Sequence, residues 1–164
     1  MSKIAVAEFL SLDGVMDRPL WTFPYWNGEI ARFKHSELFA SDALLLGRKT
    51  YEGFAQAWPA RAGSDDYANR MNELPKYVVS TTLDKTNWQN STLLKGNVAE
   101  EVGRLRQQPG RKLLIFGSGQ LISYLMQQNL VDEYRLLIYP IVLGKGQRLF
   151  SEGRTARLKL VESQ

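Results

Sequence analysis

The chain has 164 residues, of which 44% are hydrophobic and 23% charged, which suits one domain with one core. It contains no cysteine, so disulfides, thiolate nucleophiles, iron–sulfur clusters and cysteine-based zinc sites are excluded and a reducing cytoplasm is favoured. No signal-peptide pattern opens the chain, and no apolar run approaches the roughly 18 residues that cross a bilayer. The surplus of 21 Lys and Arg over 17 Asp and Glu is spread along the chain, unlike the clustered charge of nucleic-acid binders. We therefore expect a single cytoplasmic domain over residues 1–164 that binds neither nucleic acid nor membrane.

Short apolar runs alternate with helical segments along the chain, a pattern typical of strand–helix–strand units around a largely parallel sheet. The predicted strands are residues 3–10, 43–46, 76–80, 91–94, 112–116 and 133–141. The predicted helices are residues 28–40, 49–55, 65–73, 97–107 and 118–127. The runs at 43–46 and 112–116 are almost wholly apolar, which predicts the centre of the sheet. Pro140 within the last strand indicates an edge or a bulge.

A glycine and two basic residues follow the strand at 43–46: Gly47, Arg48, Lys49 and Thr50. Glycine permits a tight turn, the N–H groups of a helix N-terminus attract phosphate, and the two cations add positive charge. An ordinary strand–helix turn with basic surface residues explains this cluster equally well.

Two further polar clusters follow predicted strands. Gly117, Ser118, Gly119 and Gln120 follow the strand at 112–116, and Ile122 stands where a dinucleotide fingerprint has its third glycine, so a Rossmann fold is disfavoured. Ser80 and Thr81 follow the strand at 76–80 and are either ribose-phosphate ligands or plain turn residues. In a parallel sheet all three clusters would meet at one edge, which favours a shared ligand.

The ordered motifs SLDGVM, LLLGRKTYE, KYVVSTTL, LLIFGSGQLI and YPIVLGKGQRLF, between residues 3 and 150, resemble the dihydrofolate-reductase-like superfamily. The likeness is greatest to the C-terminal reductase domain of the bifunctional riboflavin deaminase-reductase and its stand-alone relatives. This resemblance implies a three-layer α/β fold with helices on both faces of a mostly parallel central sheet that carries an antiparallel edge strand.

The resemblance also implies NADPH as cofactor. The residues implied to bind it are Gly47, Arg48, Lys49, Thr50, Ser80, Thr81, Gly117, Ser118, Gly119, Gln120 and Leu121. Arg48, Ser80 and Thr81 would lie near the adenosine 2′-phosphate, and the glycine turn at 117–121 near the pyrophosphate and nicotinamide.

On the substrate side, Glu29 falls at the position of the active-site carboxylate of true dihydrofolate reductases, and Asp13 in the loop over the nicotinamide is a second candidate catalytic residue. The candidate substrate-binding residues are Leu12, Gly14, Trp26, Gly144, Lys145 and Gly146. The aromatic cluster of Trp21, Phe23, Tyr25 and Trp26 is either a stacking wall or a core or dimer contact. No residue spacing indicates a metal site.

The implied function is hydride transfer from NADPH to a pyrimidine- or pterin-like heterocycle or its ribosylamino side chain, as in a 5-amino-6-(5-phosphoribosylamino)uracil reductase of riboflavin biosynthesis. A pterin or dihydrofolate reductase is the alternative enzyme, and a non-catalytic nucleotide-binding module is the alternative of another class. The last strand is of the edge type, and riboflavin-type relatives commonly form homodimers, so we predict a homodimer.

Overall fold

The computed structural model describes residues 1–164. Its six strands are β1 Lys3–Ser11, β2 Ala43–Gly47, β3 Lys76–Val79, β4 Ser91–Leu94, β5 Lys112–Phe116 and β6 Glu133–Tyr139. Its five α-helices are α1 Gly28–Phe39, α2 Arg48–Ala57, α3 Asp66–Glu73, α4 Val98–Gln107 and α5 Gly119–Gln127. Every predicted element is present with bounds within about two residues. Two 3-10 helices, Pro19–Tyr25 and Pro59–Arg61, were not predicted.

The strands form one sheet in the order β4-β3-β2-β5-β1-β6. All five strand pairings are parallel, so the predicted antiparallel edge strand is wrong. An antiparallel neighbour for β6 would have to come from the chain that follows it, and that chain forms only the isolated bridge between Val15 and Arg148. Residues 154–164 form no strand, and Leu160 and Val161 there are 79% and 88% exposed.

Helices cover both faces of the sheet, which confirms the three-layer architecture. Because side chains alternate along a strand, Leu45 faces one way and Leu44 and Leu46 the other. Leu45 belongs to a core cluster with buried residues of α4 and α5. Leu44 and Leu46 belong to a second cluster with buried residues of α1, α2 and α3.

The sheet forks at its centre. β1 and β5 pair from Lys3↔Lys112 to Ala7↔Phe116 and no further, whereas β1 continues beside β6 as far as Ser11↔Tyr139. β2 pairs with β5 only at Ala43 and Leu44. Since the ends of these strands diverge, an opening forms at the carboxyl edge of the sheet, where ligands of α/β proteins bind. None of the helices has the length and hydropathy to span a membrane.

Candidate active site

A cavity of about 1160 Å³ occupies the fork. Residues 7–9 of β1 lie in its wall, and most of the remaining lining comes from two kinds of chain segment. One kind is the turns at the ends of β2, β3 and β5, and the other is two long excursions between strands, at residues 16–35 and 58–71. The eleven predicted cofactor residues all belong to the first kind and all line the cavity: Gly47, Arg48, Lys49, Thr50, Ser80, Thr81, Gly117, Ser118, Gly119, Gln120 and Leu121. The structure thus brings together the three clusters that the sequence keeps far apart.

Two hydroxyl groups join the turn after β2 to the turn after β5. The Ser118 N–H donates to Thr50 Oγ1 at 3.0 Å, and the Gly47 N–H donates to Ser118 Oγ at 2.9 Å. The Ser118 hydroxyl in turn donates to the Phe116 carbonyl. These bonds fix α2 and α5 relative to each other, so the hydroxyls of Thr50 and Ser118 already have partners within the chain.

The backbone of the β5–α5 turn requires glycine. Gly117 has φ +53° and Ser118 has φ +61°, both in the left-handed region that L-residues adopt at a cost. A Cβ atom at Gly117 would lie 2.7 Å from Thr50 Oγ1. The turn therefore packs against α2 too closely for any side chain at position 117.

The two helices that begin at these turns present unpaired N–H groups to the cavity. Gly47 and Ser118 are the N-caps of α2 and α5, and neither makes a side-chain cap, so the N–H groups of each first turn keep their capacity to bind an anion. Arg48 at this rim forms an ion pair with Glu52 at 3.1 Å, and the exposed Lys49 beside it adds positive charge. This geometry suits a pair of phosphate groups.

The turn after β3 offers a ligand fewer free hydroxyl groups than its sequence predicts. Ser80 Oγ accepts the N–H groups of Thr82 and Leu83, each at 3.1 Å, so it closes its own turn. Thr81 is exposed at the cavity rim.

Among the predicted substrate residues, only Trp26 lines the cavity. Leu12, Gly14, Gly144, Lys145 and Gly146 lie outside it. The Asp13 carboxylate accepts the Ser11 hydroxyl at 2.6 Å and the N–H groups of Leu143 and Gly144 at 3.1 and 2.8 Å. These bonds lower the pKa of Asp13 to about 2, so Asp13 joins two loops and is a poor proton donor.

Glu29 lies in the first turn of α1, exposed and outside the cavity. Asn27 caps this helix through the Ile30 N–H, and an acidic residue in a first turn stabilises the helix dipole. A catalytic role for Glu29 would require it at the cavity wall, but the face of α1 that meets the cavity carries Ala31, Lys34 and His35.

A charged cluster that the sequence pattern did not predict lies at the fork. Glu8, Lys34 and Glu37 are buried there, and Arg135 is half-buried. Lys34 pairs with Glu37, and Arg135 Nε pairs with the other Glu37 oxygen at 3.1 Å. Glu8 and Lys34 both line the cavity. The available signal was a lone glutamate in the otherwise apolar strand β1, together with Lys34 and Glu37 one helical turn apart.

The aromatic cluster divides between two roles. Trp21 and Tyr25 pack edge-on against Tyr139, with ring centroids at 5.5 and 5.6 Å. Trp26 is 50% exposed at the cavity, and Phe23 is 68% exposed. Packing thus engages two of the four rings, and of the other two only Trp26 lines the cavity.

The fold and the cleft together define a reductase-like domain of the dihydrofolate-reductase type. The RibD C-terminal domain family matches residues 2–164, and the chain belongs to that family. Membership makes it an oxidoreductase-type domain of the kind associated with riboflavin biosynthesis.

Among its relatives is the uncharacterized protein YyaP of Bacillus subtilis (strain 168), 32% identical over 127 residues, which are 75% of this chain and 67% of YyaP. The uncharacterized protein YwjB of the same strain is 28% identical over 111 residues, 68% of this chain and 59% of YwjB. A crystal structure of a Shewanella sp. PV-4 protein provisionally assigned to riboflavin biosynthesis superposes with a TM-score of 0.69. It covers 94% of this chain and 86% of its own at 22% identity, a likeness that concerns the fold.

Proposed function

We propose that this chain is a cytoplasmic NADPH-dependent reductase that transfers hydride to a pyrimidine- or pterin-like heterocycle, or to the ribosylamino side chain of one, as in riboflavin biosynthesis. One observation carries the proposal: residues from three separate strand ends, each predicted to bind the cofactor, line a single cavity. The provisional assignment of the Shewanella protein to riboflavin biosynthesis supports the choice of substrate class.

The residues present fit a dinucleotide phosphate. The first turns of α2 and α5 converge on the cavity and offer N–H groups for two phosphates, and Gly117 allows the two turns to lie within contact of each other. Arg48 and Lys49 supply positive charge for a third phosphate, on the ribose. The cavity of about 1160 Å³ exceeds the usual upper size of roughly 1000 Å³ for one small ligand, which supports room for a substrate beside a cofactor.

When bound, a reduced nicotinamide would supply hydride to an electrophilic carbon of the substrate. The chain's own part is to bind and orient both molecules and to exclude water. The α2 and α5 N-termini hold the phosphates, the rings of Phe9, Phe54 and Phe116 provide apolar walls, and Trp26 offers a flat surface to a planar heterocycle.

The experiment is a titration of the purified protein with NADPH and NADH, followed by reduced-nicotinamide oxidation assays with a panel of pyrimidines, pterins and their ribosylamino derivatives. A charge-assisted contact is worth roughly 1.5–3 kcal/mol, so Arg48→Ala should weaken NADPH binding about tenfold to a hundredfold and leave NADH nearly unchanged. Arg157→Ala removes the same charge from the exposed chain outside the cavity and is the matched control. Equal loss for both cofactors would refute the role of Arg48, and failure to bind either would refute the proposal.

A further inference from the structure

Glu8 stands out among the acidic residues of the cavity. Resting on the reductase function proposed above, we propose that Glu8 is the catalytic residue that delivers the proton accompanying hydride transfer. Lys34, Glu37 and Arg135 act as positioning residues that keep its carboxyl group free of other partners.

The position of Glu8 in the fork gives the first argument. Glu8 follows Ala7, the last residue of β1 that pairs with β5, so it lies where the strand loses its neighbour and the cavity begins. Its side chain lines the cavity although the residue is only 6% exposed. Its Oε1 atom is buried and has no hydrogen-bond partner in the chain. A buried, unpaired carboxyl oxygen is costly in a native structure, which points to a ligand group as its partner.

The other acidic residues of the cavity are already engaged. Asp17 Oδ1 accepts the Gln147 N–H at 2.7 Å, and Asp65 Oδ1 caps α3 through the Ala68 N–H at 2.7 Å. His35, the cavity's one imidazole, bonds to Asp66 at 2.8 Å. Glu8 differs from them because its Oε1 atom is buried and has no hydrogen-bond partner.

The charges that act on Glu8 belong to Lys34 and Glu37, both on α1. Lys34 lies with its ammonium 4.5 Å from the centre of the Phe116 ring and 5.2 Å from that of Phe9, and it forms its ion pair with Glu37. Arg135 of β6 binds the second oxygen of Glu37 at 3.1 Å and also contacts Glu133. Glu37 thus accepts both cations, and Glu8 is left without an ion pair.

Burial raises the pKa of Glu8 well above its ordinary value, the charge of Lys34 opposes this shift, and Glu37 adds to it. Burial likewise lowers the pKa of Lys34, against the effect of its bond to Glu37. The raised pKa favours the protonated carboxyl group, which is the form that a general acid needs.

The step balances with the groups already named. A bound reduced nicotinamide would supply hydride, two electrons and one proton, as one of its own C–H bonds breaks and its ring becomes oxidised. The hydride would form a new C–H bond at the carbon of a substrate C=N or C=O group. The O–H bond of Glu8 breaks as its proton moves to the nitrogen or oxygen of that group. Glu8 is left as a carboxylate, which Lys34 stabilises until water returns the proton.

The first test needs no cofactor or substrate. The carboxyl-carbon NMR signals of protein labelled at glutamate are followed against pH, with Glu8→Gln to assign the signal of Glu8 and Glu73→Gln, an exposed residue outside the cavity, as matched control. We expect one signal, lost only in Glu8→Gln, that stays protonated at neutral pH. If every glutamate titrates in the ordinary acidic range, the proposal is overturned.

The second test separates this proposal from the function on which it rests. With a substrate that wild-type protein reduces, Glu8→Gln should bind NADPH within about twofold of wild type but lose tenfold or more in kcat, as general acids typically contribute 10²–10⁴-fold. Wild-type kcat should fall at alkaline pH with the midpoint of the Glu8 NMR titration, a comparison that needs no variant. Unchanged kcat in Glu8→Gln, or a wild-type profile unrelated to that midpoint, overturns the role of Glu8 and leaves the reductase function standing. If wild-type protein neither binds NADPH nor reduces any member of the panel, the function fails and this proposal fails with it.

Discussion

Replacement of Gly117 by alanine would place a methyl group 2.7 Å from Thr50 Oγ1, at the point where the two phosphate-facing turns touch. Two costs follow from the structure. The residue has φ +53°, and the left-handed region costs a non-glycine residue roughly 1–2 kcal/mol. Thr50 must also move, and its bond from the Ser118 N–H at 3.0 Å is then lost, which costs roughly another 1–3 kcal/mol for a partly buried donor. We expect Gly117→Ala to lower the free energy of unfolding by about 2–5 kcal/mol.

The matched control is Gly63→Ala. Gly63 has φ +81°, and a Cβ atom there would meet nothing within 4 Å, so this variant carries the backbone cost alone. Denaturant unfolding of both variants gives the difference, which we expect to be about 1–3 kcal/mol in favour of Gly63→Ala. NADPH titration should show weaker binding for Gly117→Ala only, because the turn positions the first turn of α5. Equal destabilisation by the two substitutions would refute the contact between the turns.

The remaining predictions concern charge and assembly. The folded-state pKa of Glu8 is raised, so its contribution to stability is present below the unfolded pKa of about 4.3 and is lost as pH rises. The stability of Glu8→Gln relative to wild type should therefore increase with pH, by at most about 1.4 kcal/mol per pH unit. Denaturation curves that show the same difference in stability at every pH would contradict the raised pKa. The folded-state pKa of Asp13 is lowered to about 2, so its contribution to stability is present above about pH 3.9 and is lost as the pH falls through the folded pKa. Asp13→Asn should therefore lower the stability at neutral pH, by an amount that shrinks towards pH 2. Thermal melts at several pH values measure this loss of stability, and a loss that stays constant would contradict the lowered pKa. Ile138 on the edge strand β6 is 62% exposed, and we predict that the chain forms a homodimer of twice 18.7 kDa through this edge. Ile138→Lys should convert the dimer to a monomer. Light scattering that finds a monomer for the wild-type protein at high concentration would exclude the dimer.

The sequence predicted that the residues after β2, β3 and β5 would meet at one edge of the sheet, because the signals for them are local. A glycine or hydroxyl cluster after an apolar strand identifies itself, and a parallel sheet then brings all such clusters to one edge. Gly117 illustrates this, since the motif around it locates both a strand end and a helix start. What the pattern did not reveal is that Ser80 and Ser118 use their hydroxyls inside the chain.

Of the residues predicted for the substrate side, only Trp26 lines the cavity, because such placement depends on which face a helix turns to the cavity and where a loop packs. Glu29 and Lys34 lie on the same helix, but only Lys34 reaches the cavity. Asp13 is held by loop residues about 130 positions away along the chain, a contact that no local pattern encodes. The antiparallel edge strand failed for a similar reason, because strand direction at an edge depends on the path of a distant segment.

The strand-end turns and the two excursions that line the cavity differ in how freely their sequences can change during evolution. The turns at the strand ends are coupled through Thr50, Gly117 and Ser118, so a change in any one of them disturbs the others. The excursions at residues 16–35 and 58–71 are not strands of the sheet and can change in length or composition while its order is kept. Under the proposed function, changes in these two segments that keep Lys34 can alter the substrate preference, while the strand-end turns proposed to bind the cofactor stay the same.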